Sequence, residues 1–164
     1  PSLRNAIKGI SDFDAGNTPC RFEVGDELVA CGICYETLLA GQTRADIGDA
    51  QLLINLTIDV WFGDTEAPAL HVMVHALRAT ELGVPLIRSA LTGVTAIVGP
   101  DGVVDAALPM NTEGLLEGKV AVKSVVTPYR RLGPWFAWLC TAVIFGLVIL
   151  IRREQMTRGT NVAP

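Results

Sequence analysis

The stretch WFAWLCTAVIFGLVILI, Trp135 to Ile151, runs for seventeen residues without a charged side chain. It constrains the chain more than any other segment, because such a run must be buried in a protein core or in lipid. As a helix rising about 1.5 Å per residue it reaches about 25 Å, a little short of the roughly 30 Å hydrocarbon layer of a bilayer. Pro134 and its neighbours supply the remainder. A core helix in a domain this small normally shows a polar face, and this stretch shows none. We read 134–151 as a transmembrane helix, with Trp135 and Trp138 at one interface and Arg152 and Arg153 closing the other. The same stretch raises the mean hydropathy to +0.40. Arg152, Arg153 and Arg158 outweigh Arg130 and Arg131, which leans towards a cytoplasmic tail over 152–164. Residues before the span would then lie outside the inner membrane.

The remaining 1–128 is long enough for one domain. The net charge of -4 and the absence of a Lys/Arg stripe argue against a nucleic-acid binder, since phosphates need cations. The chain opens at Pro1 with no apolar leader, so a domain held outside the membrane needs earlier signals or spans. The expectation is the back part of a longer protein.

Residues 1–20 are rich in Asp, Gly, Asn and Pro and read as a loop. Leu28 to Cys34 is a short apolar run, read as a buried strand, with a helix expected from Thr37 to Gly48. Gln51 to Gly63 reads as a second strand ending in a turn. Pro68 to Gly83 carries the clearest helical signal, with proline at its start and glycine at its end. PLIRSAL, VTAIVG and VVDAALP follow as strands, the last two joined by Pro100-Asp101-Gly102. Lys119 to Pro128 is expected as the final strand. Strands and helices in this alternation predict an α/β layered domain, its sheet apolar on both faces.

Four cysteines and two histidines carry the chemical possibilities. Cys31 and Cys34 have C-x-x-C spacing, but Cys31 sits inside the apolar run rather than at a helix N-terminus. Residues three apart on a strand also point to opposite faces, which opposes a disulfide between them. Cys34 stands where a strand ends and a helix begins, a place that suits a nucleophile because backbone N–H groups there can meet an oxyanion. A small buried thiol fits the same position. Cys20 reads as a loop thiol and Cys140 as a thiol within the span. His71 and His75 share one helix face, fitting either a metal pair or packing and hydrogen bonding; HVMVH lacks the glutamate of a zincin. Arg78 and Glu81 read as a structural ion pair or a solvated face.

Several stretches occur in an order that is similar to one family: ICYE at 33–36, NLTIDVWFG at 55–63, His71 followed by RATE at 78–81, PLIRSALTGVTAIVGPDG at 85–102, and TPYRRLG at 127–133 before the span. Together they resemble the C-terminal portion of the bacterial apolipoprotein N-acyltransferase family, membrane-anchored relatives of the nitrilases. The resemblance implies a partial nitrilase-like αββα sandwich followed by one transmembrane helix, with the catalytic domain on the periplasmic side of the inner membrane. It implies no cofactor. It implies a Glu–Lys–Cys triad whose cysteine takes an acyl chain from a phospholipid as a thioester. That chain then passes to the α-amino group of a lipoprotein's diacylglyceryl-cysteine. On this resemblance Cys34 matches the nucleophile, Glu36 a supporting glutamate, and Trp61 a position near the acyl entrance. The family's base glutamate and its lysine lie upstream of the cysteine; Lys8 does not match that lysine. Ile58 and Leu91 stand where the family commonly has asparagine, which predicts buried amide partners left unpaired.

Two other functions fit the residues: a nitrilase-type amidase using the same cysteine, or a non-catalytic membrane-tethered remnant. A half domain is also expected to expose a strand edge and an apolar face, and so to aggregate in isolation.

Overall fold

The computed structural model describes residues 16–122 and 125–160. Lys8 therefore lies outside the described residues. Six strands form one sheet in the order β1 (Cys20–Val24), β2 (Glu27–Ile33), β3 (Leu52–Thr57), β4 (Leu86–Ala90), β5 (Thr95–Val98) and β6 (Val104–Leu108). The central pairs β2–β3 and β3–β4 are parallel, and the outer pairs are antiparallel. The parallel steps are bridged by α1 (Ala40–Ile47) and α2 (Ala67–Leu82). The expected α/β alternation is thus present.

Both helices pack on one face of the sheet. Ile47 of α1 and Val72, Ala79 and Leu82 of α2 bury against Ala30, Leu53, Leu86, Ala96 and Val98 of the strands. The opposite face is covered only in part: Ile97 is buried beside Gly118, while Ile33 and Leu56 stay 62 % and 47 % exposed. The structure is half of a layered sandwich, with β1 and β6 as its outer strands.

The helix read over Pro68–Gly83 is found one residue earlier, with proline in its first turn and Gly83 closing it. Gly83 has φ +66°, and its N–H donates to the Ala79 carbonyl at 2.8 Å. A Cβ there would lie 1.9 Å from the Val125 carbonyl oxygen, so only glycine fits the cap.

Three expectations need correction. Cys20 is the first residue of a strand rather than part of a loop, because the Gly25-Asp26 turn folds Cys20–Val24 back on β2. The expected helix over 37–48 is split into a 3-10 turn at Cys34–Leu38 and α1. Finally, 119–122 and 125–127 form no strand. The Val125 N–H donates to the Gly83 carbonyl at 2.9 Å and the Thr127 hydroxyl to that of Glu81, which ties this segment to the end of α2.

Beyond it, α3 (Pro128–Leu132) leads into α4 (Trp135–Thr160). Two arginines clasp α3 to α1. Arg44 donates to the carbonyls of Tyr129, Arg130 and Arg131 at 2.9, 3.0 and 2.8 Å. Arg130 reaches back to the carbonyls of Gly48 and Ala50 at 2.6 and 2.7 Å. Arg130 is thus a structural cation as well as a member of the charge bias before the span. Residues Trp135–Arg153 of α4 are long and apolar enough to cross a membrane, and none of this stretch is buried by protein. The helix continues beyond Ile151 to Thr160.

Candidate active site

The carboxyl ends of the three parallel strands open on one cleft, the place where open α/β sheets collect their ligands. Cys34 follows β2, Trp61 follows β3 and Leu91 follows β4, and all three line a cleft of about 1210 Å³. Its other walls include Ile97, Leu115 and Leu116.

Cys34 has φ +50°, in the left-handed region that a residue with a Cβ seldom adopts. Such a backbone costs on the order of 1 kcal/mol or more, so its surroundings must hold it. They do so from below. The Cys34 carbonyl accepts a hydrogen bond from Asn55 Nδ2 at 3.1 Å and one from the Thr37 hydroxyl at 3.3 Å. Glu36 adds a third restraint, its Oε2 accepting from the Ile33 N–H at 2.7 Å. Glu36 therefore braces the turn that presents Cys34; it is not among the residues lining the cleft.

Beneath the turn lies a buried polar network. Asn55, His75 and Arg88 are fully buried, and Asp59 and His71 nearly so. Arg88 donates through Nη2 to Asp59 Oδ2, through Nη1 to His75 Nδ1 at 2.7 Å, and through Nε to the Val94 carbonyl at 3.0 Å. Arginine has no acceptor, so His75 Nδ1 must carry a lone pair and its proton must sit on Nε2. From there it donates to the Thr37 oxygen, which also accepts from Asn55 Nδ2 at 3.0 Å. Thr37 is left with its own proton for the Cys34 carbonyl. Donors and acceptors thus align from Asp59 to the backbone of Cys34.

The titration shifts agree with that tautomer. Burial, with Arg88 adjacent, pushes His75 down to about 2, so its ring is neutral. Burial and Arg88 also lower His71, against the pull of Asp59 at 3.0 Å. Burial lowers the Arg88 pKa as well, opposed first by Asp59. Gly93 makes room for this pair, since a Cβ there would lie 2.1 Å from Asp59 Oδ2.

Each residue singled out in the sequence can now be located. Cys34 and Trp61 meet at the cleft, Trp61 with 85 % of its surface exposed. His71 and His75 stack with ring centroids 4.5 Å apart, and both His75 nitrogens are engaged by Arg88 and Thr37. Among the described residues no group of three His, Cys, Asp or Glu side chains is placed to hold a metal. Arg78 and Glu81 form an ion pair with Arg78 buried. Cys31 and Cys34 are both free thiols. Ile58 and Leu91 line the cleft at 43 % and 76 % exposure, and the buried Thr92 hydroxyl next to Leu91 has no hydrogen-bond partner among the described residues.

The sequence profile of the carbon-nitrogen hydrolases matches residues 12–130. The chain belongs to the carbon-nitrogen hydrolase family. It is similar to several curated relatives bearing one name, apolipoprotein N-acyltransferase. The protein of that name from Geobacter metallireducens is 34 % identical over 143 residues, covering 87 % of this chain and 27 % of the relative. Those from Ralstonia nicotianae and Photobacterium profundum are 39 % and 31 % identical, covering 80 % and 93 % of this chain. The chain spans only 26 % and 30 % of their respective lengths. Among solved structures, an amidase of the nitrilase superfamily from Nesterenkonia AN1 matches at 21 % identity and a TM-score of 0.49, covering 60 % of this chain and 40 % of that one.

Proposed function

We propose that this chain is the C-terminal part of an apolipoprotein N-acyltransferase, with Cys34 as its acyl-carrying nucleophile. The observation that carries the reading is the position of Cys34: a strained strand end opening on a largely apolar cleft, with exposed Trp61 at its wall. In this reading the Cys34 thiolate attacks the ester carbonyl of a membrane phospholipid. The tetrahedral oxyanion collapses, the lysophospholipid alkoxide leaves and takes up a proton, and an acyl thioester remains on Cys34. The α-amine of a diacylglyceryl-modified prolipoprotein then attacks the thioester. It loses a proton to a base, and the thiolate is released.

Glu36 and Trp61 take supporting parts in this scheme. Glu36 fixes the turn that aims the sulfur, and Trp61 borders the entry for the acyl chain. Among the described residues lining the cleft, Glu113 and Glu117 are the carboxylates, and none is a lysine. We assign the base and the cation to the part of such a protein that this chain does not span, and expect the 164 residues alone to be inactive. The proposed organisation is 1–128 as the C-terminal portion of the periplasmic hydrolase-type domain, 134–151 as a span of the inner membrane, and 152–164 as a cytoplasmic tail. A largely apolar cleft, in a chain that also carries a candidate span, favours a lipid ester over the small polar substrate of a soluble amidase.

Mass spectrometry tests the proposal on the complete protein in phospholipid. Cys34 is expected to carry a hydroxylamine-labile acyl group that disappears when lipoprotein acceptor is added. Cys34→Ser should lose both the thioester and acyl transfer while melting at the wild-type temperature. Unmodified Cys34 in a protein that still transfers acyl chains would overturn the assignment.

A further inference from the structure

The register of the edge hairpin sets two thiols face to face. β1 and β2 pair antiparallel with Cys20 directly opposite Cys31, at the far end of the ladder from the Gly25-Asp26 turn. Residues opposed in this way have Cα atoms about 4.5–5.5 Å apart and side chains on the same face of the sheet. A disulfide needs Cα atoms about 4.4–6.8 Å apart. Both sulfurs are unbonded here, Cys20 exposed and Cys31 partly buried. Their closeness also registers electrostatically: after burial, Cys20 is the next cause that pushes the Cys31 thiol up.

Cys34 is differently placed. It has left the strand and lines the cleft, which Cys31 does not. Strand β1 is exposed along its whole length. Beyond the ladder it is held by Arg21, which donates to the Asp46 and Ala45 carbonyls at 2.6 and 3.0 Å. An edge strand anchored so lightly gains most from a covalent tie at its open end.

We propose that Cys20 and Cys31 form a cross-strand disulfide that staples this edge hairpin and leaves Cys34 as the free thiol of the segment. The oxidant is a disulfide, either of a small molecule or of a thiol oxidase. Exposed Cys20, as its thiolate, attacks one sulfur of that disulfide and releases the first thiol. Cys31 loses its proton and attacks the mixed disulfide at the Cys20 sulfur, releasing the second. Two protein thiols are oxidised and one disulfide is reduced to two thiols, so electrons and protons balance. Formation in the cell rests on the periplasmic placement proposed above, where such oxidants operate; the bond itself rests on the strand register.

The test uses the complete protein in detergent, incubated with oxidised glutathione, denatured, capped with iodoacetamide and cut with trypsin. Lys8, Arg21 and Arg44 bound two peptides, 9–21 and 22–44. The expected product is these two joined by a disulfide through Cys20 and Cys31, with Cys34 outside the bond as a capped thiol or an acyl thioester, whether or not the protein transfers acyl chains. Peptide 9–21 recovered unlinked, or joined through Cys34 with Cys31 capped, would overturn the proposal. Amide exchange over 20–24 should slow about tenfold on oxidation in the wild type and stay unchanged in Cys20→Ser. Equal exchange before and after oxidation would sink the stapling role.

Discussion

The two faces of the sheet use similar strands for opposite ends. On the helix-covered face Asn55 and Arg88 sit fully buried, their own side-chain donors aimed at fixed acceptors. On the other face Ile33, Leu56 and Ile97 border a cleft. The covered face is polar at its centre and rigid; the open face is apolar and accessible. The difference teaches how a strained turn is sustained. The restraints on Cys34 come chiefly from the side its sulfur does not need, leaving the reacting side clear.

The largest effect should come from cutting the covered face at its hub. Arg88→Met leaves the Asp59 carboxylate buried without its cation, and removes the donor that fixes the His75 tautomer. Loss of one partner of a buried pair costs about 3–5 kcal/mol. We expect that loss in urea denaturation of the complete protein in detergent, followed by tryptophan fluorescence. Pairing Arg88→Met with Asp59→Leu removes both charges and should recover more than half of it. A double variant as unstable as the sum of its singles would show that the pair is not the hub.

A smaller effect should appear with pH and no mutation. The folded pKa of His75 is pushed down to about 2, far below the ordinary histidine value near 6.5. Below about pH 6.5 the unfolded chain binds a proton there and the folded chain does not. Stability is therefore full above that pH and falls as pH drops, by about 1.4 kcal/mol per unit. Between pH 6.5 and 5 the loss should reach about 2 kcal/mol from His75, with His71 adding to it because its pKa is lowered too. Urea midpoints at pH 7, 6 and 5 measure this, and His75→Gln should flatten the slope. A wild-type midpoint constant over that range would contradict the buried neutral ring.

The strands and α2 are much easier to read in the sequence than the polar network of the covered face. The runs 28–34, 85–91, 94–99 and 103–109 revealed their strands through apolar residues punctuated by Gly and Pro, and α2 through Pro68 and Gly83. Cys34 was placed at the end of its strand, where it is found. The edge strand β1 escaped because all five of its residues are exposed, so no burial pattern marks it. The Lys119–Pro128 segment looked like a strand from its valines, but what decides it is an anchor at the end of α2, far away in sequence. The polar network does leave a signal in the sequence. Asp59 and Arg88 are opposite charges at the margins and middle of apolar strand runs, and such charges are buried only when paired. Pairing across 29 residues depends on which strands become neighbours, and β3–β4 pairing supplies that.

The smallest effect should fall on the open side, at Leu91. Its side chain is 76 % exposed on the cleft wall, while its backbone N–H is already bonded to the Thr57 carbonyl at 3.0 Å. Leu91→Ser removes little buried area and adds a hydroxyl that solvent can satisfy. The expected change in stability is within about 0.5 kcal/mol, the range of ordinary surface substitutions. Function should respond where stability does not. If the cleft receives an acyl chain, a polar wall weakens its entry, and KM for phospholipid should rise severalfold with kcat for the thioester step nearly unchanged. A destabilisation above 2 kcal/mol would instead mean that Leu91 is packed in the complete protein. The open face would then be a core awaiting its other half at this point, and the contrast between the two faces would narrow to the immediate surroundings of Cys34.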